Sequence, residues 1–257
     1  MPFPLESFEQ LQGFFWVFVR VSIIVFMLPL FGARGLPALW KVGMSVVMAM
    51  VLLPVVPAPP SYPVTLADVL LGVLSEALVG LVLGLAVRIL FASVQVAGQF
   101  MAFQMGFAMA AAMDPNTGTR STVLSQFLYF TMILIFFSID GHHLFIRALA
   151  ASFEMISPYS FSFSPSIPEI IISISVQMFV IALKIAAPIM IALFLSNLCL
   201  GIVARTVPQV NILMVGFPIN IGIGLIFFSL ILKNLSPFLT TFTKGLGQVL
   251  MKLISAM

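Results

Sequence analysis

Ionisable side chains inside long apolar runs are the residues of this sequence whose chemistry must be accounted for first. Glu76 stands near the middle of LADVLLGVLSEALVGLVLGLAVRIL, and Lys184 stands inside the apolar stretch 170–204. A charge in lipid is expensive, so such groups usually face protein or water and mark polar pathways or helix contacts. Gly72, Glu76, Gly80, Gly84 and Arg88 recur every four residues, along one slowly winding line of a helix. Gly80 and Gly84 form a G-x-x-x-G pair, which lets another backbone approach closely. Arg88 falls at the end of its segment, where a long side chain snorkels to the interface. Glu76 and Lys184 are read as polar groups inside a bundle or between subunits, in preference to structural ion pairs. Asn197, Asn211 and Asn220 can add hydrogen bonds between helices.

Enzymatic chemistry has little material here. There is no G-x-x-x-x-G-K-S/T phosphate loop, no H-E-x-x-H and no G-x-S-x-G. His142 and His143 are adjacent, and adjacent helical residues point about 100° apart, which makes a poor metal pair. They are read as an interfacial polar turn. Cys199 lies in an apolar run without a nearby base, and only eight acidic residues are present in all. No enzyme activity, metal or cofactor is expected.

A third feature is apolar. Residues 103–118 read FQMGFAMAAAMDPNTG, with Met105, Met109 and Met113 spaced by four and Phe107 among them. Methionine is unbranched and deformable, so it accommodates irregular or changing partners. Asp114, Pro115 and Gly118 then supply turn chemistry. Two readings fit these residues. One is a helix packed tightly through its small side chains. The other is a re-entrant loop that seals a pore, since apolar constrictions block ions by dewetting and non-helical backbone at membrane depth is tolerated inside protein.

The elements that must position these groups are membrane helices. Of the 257 residues 61% are hydrophobic and 7% charged, against about 25% charged in a soluble domain. The first ten residues, MPFPLESFEQ, hold Glu6 and Glu9 and no basic residue, the wrong charge for a signal peptide. Apolar segments are expected at 11–31, 42–56, 66–90, 92–113, 122–139, 170–204 and 210–232. The second and third are separated by the stiff connector PVVPAPPSYP. The stretch 170–204 exceeds one straight span of about 20 residues, and Pro188 offers a kink or break. A polar interval at 140–169 is Ser- and Pro-rich. Over 235–257, Leu239, Phe242, Leu246, Val249, Leu250 and Leu253 recur at helical spacing opposite Lys244, Gln248 and Lys252. That is an amphipathic helix for a membrane surface or a partner. Arg34 and Lys41 against Glu6 and Glu9 favour an outside N-terminus, although the same count puts the lysine-bearing tail on the wrong side.

Three stretches carry a family resemblance. QMGFAMAAAMDPNTG resembles the signature of the FliR family, the flagellar export-gate proteins and their counterparts in type III secretion injectisomes. ARTVPQVNILMVGFPINIGIGL (204–225) is similar to a second family stretch, through Arg205, Pro208, Gln209 and Asn211 in R-x-x-P-Q-x-N and through G-F-P. DGHHLFIRALAASFEMISP (140–158) resembles the flagellar branch. The resemblance covers essentially the whole chain. It implies an all-α integral membrane protein in one membrane-embedded domain, 1–257, with six or more apolar helical segments, broken helices, tilted hairpins and a re-entrant plug loop at 106–118. It also implies a one-copy subunit of a bacterial inner-membrane export gate in the flagellar basal body. Its implied partners are FliP and FliQ, with FlhB and FlhA, and its cargo is unfolded flagellar protein; no nucleic acid is implied. On this mapping Met105, Gly106, Phe107, Met109 and Met113 form the closure, Asp114 and Pro115 anchor its turn, and Gly118 ends it. The alternatives are an injectisome gate subunit, a small-molecule or ion transporter that couples Glu76 with Lys184, and a scaffold for neighbouring subunits. For the transporter, no convincing pairing of inverted halves is visible.

Overall fold

A long apolar chain leaves its backbone no water to bond with, so each segment closes its N–H and C=O groups within a helix. The computed structural model describes residues 8–29, 37–57, 65–107, 122–158, 160–206 and 212–257, and the described residues form seven helices and no strand. They are α1 (Phe8–Met27), α2 (Ala38–Leu52), α3 (Leu66–Gln104), α4 (Val123–Ser138), α5 (Gly141–Met155), α6 (Ser166–Thr206) and α7 (Ile212–Ser255). Four of them, α1, α3, α6 and α7, are long and apolar enough to cross a membrane, and α4 with α5 adds a fifth if the pair counts as one span.

Several helices run on where the sequence suggested a division. The segments expected at 66–90 and from 92 onward run without a break through one helix of 39 residues, α3, which ends at Gln104; of the second segment, 108–113 lie outside the described residues. No Gly or Pro stands at the junction to stop it, and Ser93 keeps its hydroxyl inside the helix by donating to Leu90 O at 2.6 Å. Its start is fixed by a capping pair: Asp68 N donates to Thr65 Oγ1 at 3.2 Å, and Thr65 Oγ1 donates to Asp68 Oδ2 at 2.6 Å. Pro188 does not break the 170–204 stretch, which lies within the 41 residues of α6. From Ile212 the segment expected at 210–232 and the tail join in the 44 residues of α7, with Pro218 and Pro237 inside it. A proline forfeits one hydrogen bond, whereas opening a loop in an apolar setting forfeits several. At 1.5 Å per residue, each of these three helices measures about 58–66 Å, roughly twice a bilayer's hydrocarbon core.

The described residues form two compact units. The first comprises residues up to Ile89, Asp140–Ile174 and Thr243–Met257. Its buried side chains include Trp16, Val21 and Val25 of α1, Val79 and Leu83 of α3, Phe145 and Phe153 of α5, and Leu246, Leu250 and Leu253 of α7. α2 packs on α1. The tail stripe was expected to face a membrane surface or a partner. Instead Leu239, Phe242, Leu246, Leu250 and Leu253 are buried in the chain itself, while Lys244, Gln248 and Lys252 are exposed. Within the 140–169 interval α5 is helical, and the Ser/Pro stretch behind it is tied down. Phe161 N donates to Ser75 Oγ at 3.0 Å, and Ser162 Oγ donates to Met257 O at 2.6 Å.

The second unit comprises Leu90–Ile139 and Ser175–Phe242. Phe91, Met101, Leu128, Met132, Phe136, Ile189, Leu193, Phe228 and Leu235 are buried in it. Phe91 meets Phe136 edge-on at 5.3 Å and Phe242 at 6.0 Å, a favoured aromatic geometry. α3 and α4 cross closely at Gly98, where a methyl group would lie 2.5 Å from Ser125 Cα.

Candidate functional site

The segment singled out for sealing begins at the end of α3, and that end is held firmly. Met105 is fully buried. Its side chain fills a notch at Gly224 of α7, where a methyl group would stand 2.5 Å from Met105 Cγ and 2.7 Å from its Sδ. Gly106 follows with φ +88°, a left-handed conformation that glycine adopts without a Cβ penalty. Gly106 N bonds Phe103 O at 3.1 Å, and the Phe217 ring of α7 lies 3.1 Å from where a Gly106 Cβ would be. Methionine followed by glycine thus ends the helix and redirects the chain, with Phe107 half-buried just beyond. Met109, Met113, Asp114, Pro115 and Gly118 lie outside the described residues. The chain re-enters at Thr122, whose Oγ1 accepts from Ser125 N at 3.3 Å and caps α4. Ser125 Oγ in turn donates to Gln95 O of α3 at 2.9 Å. The described chain on either side of the undescribed residues 108–121 is therefore fastened within one unit.

The first unit holds the strongest electrostatic feature. Arg20 of α1 and Glu76 of α3 are both fully buried and form a bidentate pair, Nε to Oε2 at 2.6 Å and Nη2 to Oε1 at 3.0 Å. Arg20 Nη1 also donates to Ser152 O at 2.8 Å and Ser152 Oγ at 3.3 Å, and Nη2 donates to Ile156 O at 3.2 Å. A guanidinium has five N–H donors, and each finds an acceptor here. Two of those acceptors are carbonyls at the C-terminal end of α5, the negative end of the helix dipole. The Phe153 ring lies 4.2 Å from Arg20 Cζ, within cation–π range. Glycine makes the approach feasible: a methyl at Gly80 would stand 3.1 Å from Arg20 O, and one at Gly84 would collide with Met27 Cβ. The sequence showed Arg20 as an interruption of its segment, and its pairing with Glu76 went unread. The signal was there, because a mid-helix cation in an apolar run requires an anion and Glu76 is the acid placed in the same way.

The other singled-out residues are not brought together. Lys184 of α6 is exposed in the second unit, beside a groove of about 420 Å³. Arg88 and Arg205 are exposed, and Pro208, Gln209 and Asn211 lie outside the described residues. Asn197 and Asn220 do link α6 to α7: Asn220 Nδ2 donates to Asn197 Oδ1 at 2.8 Å, and Ser196 Oγ donates to Asn220 Oδ1 at 3.1 Å.

The histidine pair differs from the divergent geometry expected of it. Asp140, with φ 57°, turns the chain into α5, the two imidazoles lie 4.3 Å apart, and the ligand atoms of Asp140, His142 and His143 are within 4.8 Å of one another. His143 Nδ1 is 3.6 Å from Asp140 Oδ1. The cluster sits at the positive end of the α5 dipole, which opposes a bound cation.

Comparison with known proteins agrees with the architecture. The family model for bacterial export proteins, family 1, matches residues 11–246. The flagellar biosynthetic protein FliR of Bacillus subtilis (strain 168) is 40% identical over 221 residues, covering 85% of each chain. The FliR of Pectobacterium carotovorum subsp. carotovorum is 33% identical over 236 residues, 91% of this chain and 89% of that one. The FliR of Escherichia coli (strain K12) is 25% identical over 245 residues, 95% and 94% of the two chains. With its long apolar helices, the chain belongs to the bacterial export proteins, family 1, as a membrane-embedded member of the FliR group of flagellar biosynthetic proteins.

Proposed function

We propose that the chain is a subunit of the flagellar type III export gate in the bacterial inner membrane, where it helps to form the channel for unfolded flagellar proteins and carries the segment that seals it. FliP and FliQ are its proposed neighbours, with FlhB and FlhA further out in the same machinery. The observation that carries this reading is the end of α3. A buried Met105 seated in the Gly224 notch and a left-handed Gly106 deliver the chain from a fixed point into the Met-Ala stretch, and the capped Thr122 receives it in the same unit. A seal needs this combination of anchored ends and soft apolar side chains. The ends keep it in register, while unbranched thioethers exclude water at rest and deform around a passing polypeptide.

The transporter reading gains no support from Glu76. Its carboxylate is engaged by Arg20 through both oxygens.

The seal is tested by replacing Met109 and Met113 with glycine together in the assembled gate and measuring ion conductance in planar bilayers. Conductance at rest is expected to rise several-fold, with the complex still recovered intact. An unchanged resting conductance sinks the sealing role.

A further inference from the structure

Lys184 poses a problem that the described residues of the second unit do not solve. The side chain is exposed on α6, about 22 Å along the helix from Glu169 and about 31 Å from Arg205, too far for a lysine stem to carry its charge to either end. No charged residue other than Lys184 occurs between 170 and 204. The described residues of the second unit hold three cations, Lys184, Arg205 and Lys233, and no carboxylate. Its one acid, Asp114, lies outside the described residues. Among the described residues, no acid forms an ion pair with Lys184. The contrast with the first unit is direct, since every donor of buried Arg20 there has an acceptor.

The surroundings of Lys184 are shaped. It stands at the edge of a groove of about 420 Å³ between α6 and α7, lined by Pro188, Phe227, Leu230 and Phe238 with Asn234 as the other polar group. Exposed leucine on a membrane helix says nothing about docking, because lipid covers it at no cost. An exposed ammonium in mid-helix does, because lipid tails cannot satisfy it. We infer that this groove docks an apolar helix of a neighbouring subunit, which brings one carboxylate to the Lys184 ammonium. The space admits side chains but not a whole helix about 10 Å wide, so the partner lies along the mouth and inserts its side chains. A carboxylate on a helix can be placed at any depth, whereas a lipid phosphate stays at the interface, and this favours a protein over an anionic lipid. The inference rests on the reading of the chain as a subunit of a hetero-oligomeric gate.

The test uses the full complex solubilised from native membranes, with a tag on this chain. Lys184→Glu puts two carboxylates together and is expected to lower recovery of the neighbouring subunits about tenfold. Lys184→Met strands the partner's carboxylate and is expected to lower recovery less, while Lys184→Arg keeps it near wild type. Melting of the purified chain should not change in any of the three, since no acid among the described residues of its own unit pairs with Lys184. Independently of those variants, a photo-crosslinking residue at Leu230 should form adducts that map to an apolar segment of a neighbour bearing Asp or Glu. Lysine in place of that acid should then restore recovery of Lys184→Glu. Wild-type recovery of Lys184→Glu overturns the inference, as do adducts to lipid alone or to segments without a carboxylate. A wild-type chain that brings down no neighbour overturns the export-gate reading and this inference with it. A wild-type chain that brings its neighbours while all Lys184 variants do likewise overturns this inference alone.

Discussion

In the first half of α3, Gly80 and Gly84 receive α1 so closely that the nearest atoms in the way of a methyl group, Ile23 Cβ, Arg20 O and Met27 Cβ, are on or beside the backbone, with Ile23 Cγ2 and Met27 Cγ just behind them. At the far end of the same helix the notch is Gly224 of α7, and what fills it is the outer part of one side chain, Met105 from Cγ to Cε. A notch filled by backbone-proximal atoms cannot yield without moving a helix. A notch filled by a thioether with three rotatable bonds yields by rotamer change. The polar groups divide the same way. The rigid contact is locked by a guanidinium with five acceptors, and the soft one is filled by a thioether, with the Phe217 ring against the neighbouring Gly106. One helix thus supplies a fixed frame at one end and a deformable fitting at the other, where a seal would begin.

The frame is broken most severely through Glu76. Glu76→Leu strands a buried guanidinium, and losing one member of a buried pair costs about 3–5 kcal/mol. The melting temperature of the purified chain in detergent should fall sharply. The double variant with Arg20→Leu removes the stranded charge and should recover much of the loss. It should not recover all of it, because Ser152 O and Ile156 O then lose their Arg20 donors. A single variant no less stable than the double would mean that the pair does not hold the frame.

That pair also marks the boundary of what the sequence could reveal. An all-helical membrane chain was legible, because 61% hydrophobic and 7% charged residues leave no other fold for most of its length. Helix ends were less so. Pro188 looked like a kink or break under a rule calibrated in water, yet it sits inside a helix, as Pro218 and Pro237 also do. The G-x-x-x-G ridge announced a close approach but not which helix would make it, and α1 is more than fifty residues upstream. Arg20 and Glu76 are separated by 56 residues, so their meeting depends on that same undetermined approach. The tail's apolar stripe was read from its spacing, while its destination, the chain's own interior, is a tertiary fact. The left-handed Asp140 that opens α5 and the side-chain rotamers that bring the His142 and His143 rings 4.3 Å apart are not set by residue spacing. Asn197 and Asn220 were found because polar side chains on apolar helices have few partners other than one another.

A second break in the frame is steric. Gly84→Leu should cost about 1–3 kcal/mol or more through overpacking, and recovery of the copurified complex should fall with it. Gly84→Ala should already show part of this loss, because even a methyl group meets Met27 Cβ. The control is Gly43→Ala in α2, where nothing lies within 4 Å of the added methyl. There the better helix propensity should stabilise by up to about 1 kcal/mol. Equal yields for Gly84→Leu and wild type would remove the close α1 contact from the account.

The smallest effect is expected at Gly224, and it decides the comparison. A methyl group there needs the space of Met105 Cγ, Sδ and Cε, so the neighbour that must move is a flexible side chain. Gly224→Ala should therefore cost less than about 1 kcal/mol, well below Gly84→Ala, because methionine repacks. Met105→Leu alone is a near-isosteric change and should also cost little. Combined they should cost more than their sum by about 0.5–3 kcal/mol, since a branched side chain cannot move aside as the thioether does. Thermal melts of the two singles and the double measure this coupling directly. If Gly224→Ala destabilises as much as Gly84→Ala, or if the double is additive, the fitting at the end of α3 is as rigid as the frame. A seal starting there would then have to open by moving helices instead of side chains.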